Sequence, residues 1–255
     1  MRFNKAIVRK PGRSLVNGIS KSDLGIPDYA LAMKQHRDYV DALQSCGLAM
    51  VVLEADERYP DSTFVEDTAV LTEDCAIVTR PGAATRLGEV AAIQQVLKEH
   101  FQIVEMIEAP GTLEGGDVLR VGSHFYVGLS ERTNQSGFDQ FQKILAQYGY
   151  TSSTVEVGNM LHLKTGVSYL SDNTVLVFDG LLGEGNPFRS FRCLPVGVGE
   201  DYAANCICIN GTVIIAEGYP MTKRELVDAG YPIFEVDVSE FRKLDGGLSC
   251  LSLRF

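Results

Sequence analysis

Cys250 is the residue whose type and setting in this sequence could most directly do covalent chemistry. It follows Asp245-Gly246-Gly247-Leu248-Ser249, and the run Cys250-Leu251-Ser252-Leu253 alternates at the period of a β-strand. Because glycines relax the steric limits on the backbone, the pattern predicts a flexible turn that presents a thiol at the mouth of a strand. The alternative is a core residue, since free cysteine is among the most buried residue types.

His162 is the leading candidate for a proton-transferring partner of this thiol. It lies among apolar neighbours in Met160-Leu161-His162-Leu163-Lys164, directly before a strand-like run. A Cys–His couple combines a nucleophile with a proton carrier that titrates near neutrality. Taken alone, His162 is also compatible with a hydrogen-bonded core histidine. Of the other histidines, His36 and His100 are predicted to lie on the surface, and His124 in a hairpin turn.

Two acidic stretches indicate what the thiol would attack. Phe64-Val65-Glu66-Asp67 and Leu113-Glu114-Gly115-Gly116-Asp117 place carboxylates beside apolar residues or glycines. Several carboxylates around one thiol do not suit acyl transfer, where an oxyanion develops and hydrogen-bond donors are needed. They suit a guanidinium, which carboxylates bind bidentately and whose charge would lower the pKa of a nearby cysteine. Each carboxylate taken singly is equally well read as a solvated turn residue.

Arg86 and Arg132 are candidates for binding the other end of such a substrate. Both come shortly after the second strand of a predicted hairpin, at equivalent places in successive units. Each alone resembles an ordinary surface arginine, but together they could clamp an α-carboxylate.

The sequence gives little support for a metal or a cofactor. Cys206 and Cys208 form a C-x-C pair, but no second Cys/His pair has zinc spacing, so we interpret them as core thiols. Gly115-Gly116 lies in neither a P-loop nor a dinucleotide-binding pattern. We therefore predict no cofactor.

The elements that must position these residues form an internal repeat. Strand-like pairs joined by turn residues recur at intervals of about forty to fifty residues. The four predicted hairpins span residues 69–78, 118–127, 167–177 and 206–215. Amphipathic helices are predicted at 28–46, 90–97, 138–148 and 222–229, and returning strands at 50–53, 102–107, 153–157 and 231–236. The stretch 183–190 is too short and too rich in glycine and proline for a full helix.

The repeat predicts a fivefold α/β propeller made of one domain over residues 1–255. The N-terminal unit lacks its first hairpin strand, and the run 250–254 is the candidate to supply it and close the ring, which would leave no long unpaired edge. The candidate residues Glu66, Asp67, Glu114, His162, Asn205 and Cys250 all lie just before the first strand of a unit. A ring would therefore bring them to one axis.

Composition sets limits on partners and location. The chain has 255 residues, 45% hydrophobic and 22% charged, with a net charge of −10, which disfavours binding to nucleic acid or to anionic membranes. Residues 1–5 lead into a strand without an apolar signal segment, and no run approaches the length of a membrane span. We expect a cytoplasmic protein whose six cysteines are thiols and whose partner is a small molecule.

Taken together, these motifs resemble the dimethylarginine dimethylaminohydrolases, a family of the guanidine-modifying superfamily that includes arginine deiminases and amidinotransferases. The resemblance covers essentially the whole chain. It depends on the two acidic stretches quoted above and on Arg80-Pro81-Gly82, Ser130 to Asn134, Leu161-His162-Leu163-Lys164, Ala204-Asn205-Cys206, Asp245-Gly246-Gly247 and Cys250.

The resemblance implies a fivefold propeller that hydrolyses Nω-methylated arginines to L-citrulline and methylamine or dimethylamine. It implies that Cys250 attacks the guanidinium carbon to form an S-alkylthiouronium, while His162 protonates the departing amine and then activates water. Asp67 and Glu114 would hold the guanidinium and orient His162. The implied substrate contacts are Ile19, Asp61, Glu66, Asp67, Arg86, Arg132 and Leu244, with residues 12–20 as a mobile lid and a homodimer as the assembly.

Three other readings stay open at this point. An arginine deiminase or a related Nω-substituted arginine hydrolase would use the same residues, although arginine deiminases usually carry an inserted helical domain for which this chain has no room. A cationic amino-acid binding protein would need the acidic residues but not both Cys250 and His162. A cysteine peptidase or amidase would need an oxyanion hole instead of an acidic ring.

Overall fold

Five small three-stranded sheets build the molecule. A computed structural model describes residues 2–181 and 186–255. Its strands are β1 (Lys5–Arg9), β2 (Ala49–Leu53), β3 (Ala69–Leu71), β4 (Ala76–Val78), β5 (Val104–Met106), β6 (Val118–Val121), β7 (His124–Leu129), β8 (Thr151–Glu156), β9 (Val167–Tyr169), β10 (Thr174–Val177), β11 (Arg192–Pro195), β12 (Ile207–Ile209), β13 (Thr212–Ala216), β14 (Ile233–Val236) and β15 (Leu253–Arg254). Its α-helices are α1 (Tyr29–Ser45), α2 (Val90–His100), α3 (Gln135–Gln147), α4 (Pro220–Asp228) and α5 (Ser239–Arg242).

The sheets repeat one topology, which confirms the predicted fivefold propeller. Their strand orders are β15-β1-β2, β3-β4-β5, β6-β7-β8, β9-β10-β11 and β12-β13-β14. In each blade the first two strands pair antiparallel, and the second and third pair parallel. A parallel pair needs a long crossover, and α1, α2, α3 and α4 supply it in four of the blades.

Local sequence explains where these crossover helices begin and which face they bury. Asn134 caps α3, its side chain accepting a hydrogen bond from the Gly137 N–H, and Asp28 caps α1 in the same way from Leu31. In α3, Phe138, Phe141 and Leu145 are buried at helical spacing. The result is that each helix lays one apolar face against its own blade.

The same periodicity corrects the prediction for His36. Instead of lying on the surface, His36 is 2% exposed, on the buried face of α1 with Gln35 and Tyr39. Burial lowers the pKa of His36 to about 4. The charged neighbours of His36 in the sequence suggested a surface residue, but the helical period places His36 on the face of α1 that packs against the core.

The hairpin turns use the conformations that their residue types favour. Asp172, Asn173 and Asn210 have positive φ angles of 48°, 58° and 51°, and Gly211 follows at 91°. Such turns match the twist of the flanking strands and are dominated by Asn, Asp and Gly. The predicted tight connections in the fourth and fifth blades are therefore confirmed.

The ring closes between strands from the two ends of the chain. Ala6 pairs with Arg254 and Ile7 with Leu253 in an antiparallel register, so the C-terminal run does fill the missing place in the first blade. The prediction was wrong about Cys250, however, because Ser249–Leu251 forms a 3-10 turn and the strand begins only at Leu253. Apolar alternation identified the strand but could not distinguish it from the turn that leads into it.

The fourth blade was predicted to be degenerate. Part of the stretch 183–190 lies outside the described residues. In the described part of the chain between β10 and β11 there is no α-helix, and β11 completes the sheet by pairing parallel with β10. Sequence reasoning missed β11.

The hydrophobic core is divided among neighbouring blades. Ile7 and Leu253 of the first blade pack with Val78 of the second and with Ile93 and Leu97 of α2, all less than 5% exposed. Similar clusters join the other blades. Among the described residues, no helix is both long and apolar enough to cross a bilayer.

A short 3-10 turn precedes the first strand of every blade, and neighbouring turns contact one another around the axis. We call these five turns the axial turns. They are Val65–Thr68, Gly115–Asp117, Leu163–Thr165, Asp201–Ala204 and Ser249–Leu251. They are the elements that bring the candidate residues together.

Candidate active site

The axial turns carry the candidate residues in the turn itself or directly beside it. Asp67 lies within its turn, Glu114 and His162 stand directly before theirs, Asn205 directly follows one, and Cys250 is in the middle of the last. Residues that are far apart in the sequence, such as Asp67 and Cys250, therefore meet, because the axial turns of all five blades surround the same axis.

The turn that holds Cys250 is closely packed, whereas the glycines of the sequence predicted a flexible turn. The left-handed residue is Asp245, with φ 58°, while neither Gly246 nor Gly247 has positive φ. These glycines are needed for close approach, because a Cβ at Gly246 would overlap the Phe64 ring and one at Gly247 would lie 2.6 Å from the Asn205 side chain.

Asn205 fastens the residue beside the nucleophile. The Ser249 N–H donates to Asn205 Oδ1 at 2.9 Å, and Asn205 Nδ2 donates to Ser249 Oγ at 3.0 Å. The Gly247 N–H approaches Cys250 Sγ at 3.5 Å. Cys250 itself is 9% exposed.

The thiol is protonated in the free protein. Burial and the negative charges of Glu66 and Asp67 raise the pKa of Cys250 to about 12, against the smaller effects of the Gly247 N–H and Lys164. At neutral pH only a minute fraction is thiolate, so a cation must arrive before the sulfur can act as a strong nucleophile.

His162 is held as an imidazolium. Its Nε2 lies 2.7 Å from Glu114 Oε2 and 4.0 Å from Asp67 Oδ1. Burial would lower the pKa of His162, but the charges of Asp67, Glu114 and Asp117 and the hydrogen bond to Glu114 outweigh burial and raise that pKa to about 9. Gly116 packs closely against the imidazole ring, since a Cβ atom at this position would lie only 2.7 Å from His162 Nδ1.

Glu114 is the anion opposite this imidazolium. It is fully buried, and burial would raise its pKa, but the hydrogen bond and charge of His162 together with Arg86 and Arg132 lower it to about 2. The N–H groups of Gly82 and Ala83 donate to its Oε1 at 3.0 and 3.3 Å. These two hydrogen bonds give Arg80-Pro81-Gly82, one of the stretches that carry the family resemblance, a structural role in holding Glu114.

Arg86 is engaged with the protein, although it was predicted to contact substrate. It is 5% exposed, and its Nη1 donates to Asp67 Oδ2 at 2.6 Å. Its Nε and Nη2 donate to the two oxygens of Glu89, at 3.0 and 2.9 Å. Arg132 is freer, since its Nη1 lies 3.4 Å from Glu114 Oε1 and its side chain is 14% exposed.

One small cavity gathers most of the candidate residues, and we call it the Cys250 cavity. Its volume is about 40 Å³. The candidates that line it are Ile19, Asp61, Asp67, Arg86, Glu114, Arg132, His162, Leu244 and Cys250. Glu66 does not line it. Its carboxylate instead contacts Lys164 at 2.6 Å, Ser249 at 2.7 Å and Arg254 at 3.0 Å.

The segment that follows the 3-10 turn Arg13–Asn17 covers this cavity. The Ile19 N–H donates to Asp61 Oδ1 at 3.0 Å, and the Lys21 N–H donates to Asp245 Oδ2 at 2.6 Å. A space of about 40 Å³ holds little more than one water molecule. An amino acid can therefore enter only if this segment moves, in keeping with its predicted role as a lid.

Asp67, Glu114 and His162 also form a group that could hold a metal ion, with ligand atoms within 4.8 Å of one another. Their contacts favour proton transfer over metal binding. His162 Nε2 already faces Glu114, and Arg86 already neutralises Asp67. Cys206 is 2% exposed, in keeping with a core thiol, whereas Cys208 is only partly buried.

Sequence reasoning missed two parts of the site. Glu89, which is 4% exposed, orients Arg86. Its spacing of three residues from Arg86 was a signal that could have been used. The contacts of Glu66 with Lys164, Ser249 and Arg254 join three blades, and no local pattern indicates them.

The thiol pKa makes a direct prediction for alkylation. Because the pKa of Cys250 lies near 12, the rate constant for its reaction with iodoacetamide should rise about tenfold per pH unit through the neutral and mildly alkaline range. Mass spectrometry of the Cys250 peptide would measure this rate separately from those of the partly buried Cys46, Cys193 and Cys208. A plateau near neutrality would contradict a protonated resting thiol.

Comparisons with known proteins agree with this architecture. Residues 23–186 match the family model described as N,N dimethylarginine dimethylhydrolase, eukaryotic. The N(G),N(G)-dimethylarginine dimethylaminohydrolase of Pseudomonas aeruginosa is 47% identical over 99% of this chain and 100% of that protein, and its namesake from Streptomyces coelicolor is 35% identical over 100% and 98%. A solved structure of the Pseudomonas aeruginosa protein, a cysteine-to-serine mutant complexed with citrulline, superposes with a TM-score of 0.98 at 46% identity over all of both chains.

From its fold and from these matches, the chain is a fivefold α/β propeller of the guanidine-modifying superfamily, which is also called the amidinotransferase superfamily. Within it, the chain belongs to the dimethylarginine dimethylaminohydrolase family.

Proposed function

We propose that this protein hydrolyses Nω-methylated arginines, asymmetric dimethylarginine and monomethylarginine, to L-citrulline and dimethylamine or methylamine. The observation that carries the proposal is the Cys250 cavity, where a thiol, an imidazolium and two buried carboxylates from different blades converge. The family relationship supports the same activity, and a relative of nearly identical fold has been solved with citrulline.

Binding is the first step, and it activates the sulfur. The substrate guanidinium would enter beside Asp67 and Glu114, both of which line the cavity. Its positive charge opposes the effect of burial and of Glu66 and Asp67 on the pKa of Cys250, so the thiol loses its proton to solvent. Arg132 is the arginine with donors to spare for the substrate carboxylate, while Arg86 holds Asp67 in place.

Cleavage of the C–N bond follows. The Cys250 thiolate adds to the guanidinium carbon, and His162, which is protonated at neutral pH, gives its proton to the departing amine nitrogen. The amine leaves and an S-alkylthiouronium remains on Cys250. A positioned proton donor of this kind is typically worth about 10²–10⁴-fold in rate.

Hydrolysis of the intermediate completes the cycle. His162, now neutral, takes a proton from water as the oxygen adds to the same carbon. The C–S bond then breaks while the hydroxyl proton of the adduct passes to solvent, which releases neutral citrulline and leaves Cys250 as thiolate and His162 as imidazolium. The Cys250 thiolate regains a proton from solvent when the product leaves. Glu114 keeps the imidazole oriented through its 2.7 Å contact with Nε2 in both half-reactions.

A substrate panel tests this function. Asymmetric dimethylarginine, monomethylarginine and arginine would be assayed in parallel for citrulline and for the released amine. We expect dimethylamine and methylamine from the first two, at kcat/KM values well above that for arginine. Preferential release of ammonia from arginine would identify an arginine deiminase instead, and ligand binding without citrulline would identify a binding protein.

Three further features stay predictions. We propose that residues 1–255 act as one catalytic domain, because residues from separate blades line the one cavity. The homodimer that the family resemblance implies would be measured by sedimentation. Cytoplasmic location is the expectation from composition, and fractionation would test it.

A further inference from the structure

A second and much larger cavity lies on the other side of the axial turns, and we call it the far cavity. Its volume is about 790 Å³, and it shares no lining residue with the Cys250 cavity. The walls are the first strands of the blades, β3, β6, β9 and β12, with the segment around β15. Neighbouring residues of the axial turns divide between the two spaces: Asp67, Glu114 and Cys250 line one, and Glu66, Gly115 and Ser249 line the other.

The far cavity is positively charged in an acidic protein. The charged residues that line it are the cations Arg2, Arg120, Lys164 and Arg254 and the anions Glu66 and Asp172. Four positive and two negative charges leave an excess of two in the lining, and Glu73, which pairs with Arg120 from outside the lining, reduces it to one, whereas the chain as a whole carries −10. Lining of this sign attracts anions and concentrates them in the concave space.

The floor of the far cavity carries a net charge of +1 that is largely shielded from water. Lys164 Nζ and Arg254 Nη2 both donate to the same oxygen of Glu66, at 2.6 and 3.0 Å. The side chains of Lys164, Arg254 and Glu66 are 13%, 15% and 5% exposed. Two cations thus share one carboxylate, and a buried charge without full compensation is unfavourable.

Unused hydrogen-bond donors accompany this charge. An ammonium has three N–H donors, and Glu66 is the partner of Lys164 Nζ among the described residues. On the wall, the Arg120 guanidinium is already engaged, because its Nη2 donates to Glu73 at 2.5 Å and its Nε to the Gly122 carbonyl at 2.9 Å. An oxygen-rich anion would satisfy the remaining donors of Lys164, which binds such a group as a point charge.

We propose that the far cavity is a binding site for a small multivalent oxyanion bearing carboxylate or phosphate groups. Its volume lies within the range of small-molecule sites and excludes a folded partner. The far cavity is separate from the Cys250 cavity. It would bind an anion, whereas the Cys250 cavity would bind the cationic guanidinium of the substrate. The proposal does not depend on the hydrolytic activity, because binding can be measured without turnover.

Calorimetric titration tests the proposal. Citrate and inorganic phosphate would be titrated separately into the full chain, with ionic strength balanced by sodium chloride. We compare Lys164→Gln with Lys143→Gln, since both remove one positive charge but Lys143 lies exposed on α3, outside both cavities. We expect saturable binding of one anion per chain, retained in Lys143→Gln and weakened at least tenfold in Lys164→Gln.

The outcomes separate the alternatives. Binding of citrate alone would identify a carboxylate site, and binding of phosphate alone a phosphate site. The absence of saturable binding by either anion, or an equal loss in both variants, would overturn the proposal. If Lys164→Gln does not fold, Arg120→Gln replaces it, because Arg120 lies further along β6 from the axial turns, and the same weakening is expected.

Discussion

Cys250→Ser should lower the rate of citrulline formation from asymmetric dimethylarginine by at least about 10⁴-fold, as expected when a nucleophile of a concerted catalytic set is removed. The hydroxyl is a far weaker nucleophile than a thiolate, and the proposed S-alkylthiouronium cannot form on it. Substrate affinity should persist, because Asp67, Glu114 and Arg132 are unchanged. Steady-state turnover and equilibrium binding would be measured on the same preparation.

Cys46→Ser is the matched control for this substitution. Cys46 is partly buried at the end of α1 and lines neither cavity, so activity should stay close to that of the parent protein. Mass spectrometry of denatured samples quenched during turnover should show a covalent adduct only in proteins that keep Cys250. Unchanged citrulline production by Cys250→Ser would remove the sulfur from the mechanism.

His162→Asn should lower kcat by about 10²–10⁴-fold, the usual range for a positioned proton donor and acceptor. The amide keeps a polar group near Glu114 but cannot carry the proton. Because His162 acts in both half-reactions, its loss should slow both departure of the amine and hydrolysis of the intermediate. Single-turnover measurements that follow amine release and citrulline formation separately would reveal each effect.

His124→Asn is the control here, since His124 begins β7 and lines neither cavity. A substrate with a better leaving group should restore much of the first half-reaction in His162→Asn, because it needs less protonation. If kcat stayed within a few-fold of the parent value, His162 would be excluded as the proton carrier.

The sequence was most informative about the repeat. Alternating apolar runs, turn pairs and helical faces recur, and each blade is built locally, so hairpins such as β6–β7 and helices such as α3 could be predicted closely. The candidate residues precede the first strand of each repeated unit, so the fivefold symmetry of the ring predicts that they lie around one axis. This is why the sequence placed Cys250, His162 and Glu114 at one axis without any local pattern linking them.

The remaining features depend on contacts between blades. Tertiary packing buries Arg86 and pairs it with Asp67 and Glu89. It also turns the Glu66 side chain toward Lys164, away from the cavity that its neighbour Asp67 lines. Two adjacent carboxylates look equivalent in a sequence. In a 3-10 turn that separates two spaces they face different surroundings, which periodicity arguments for helices and strands do not describe.

The pairing of β1 with β15 ties the assembly of the site to closure of the ring during folding. These strands come from opposite ends of the chain, and contacts of such long sequence separation carry a high loop-closure cost and form slowly. Blades can acquire their hairpins early, but the nucleophile turn Ser249–Leu251 is anchored only once Leu253 and Arg254 dock beside Ile7 and Ala6. A partly folded chain therefore has secondary structure without the buried Cys250 cavity. Its Cys250 would titrate near the ordinary cysteine value of about 8.5 and be alkylated faster than in the native protein, where the pKa of that thiol is raised to about 12.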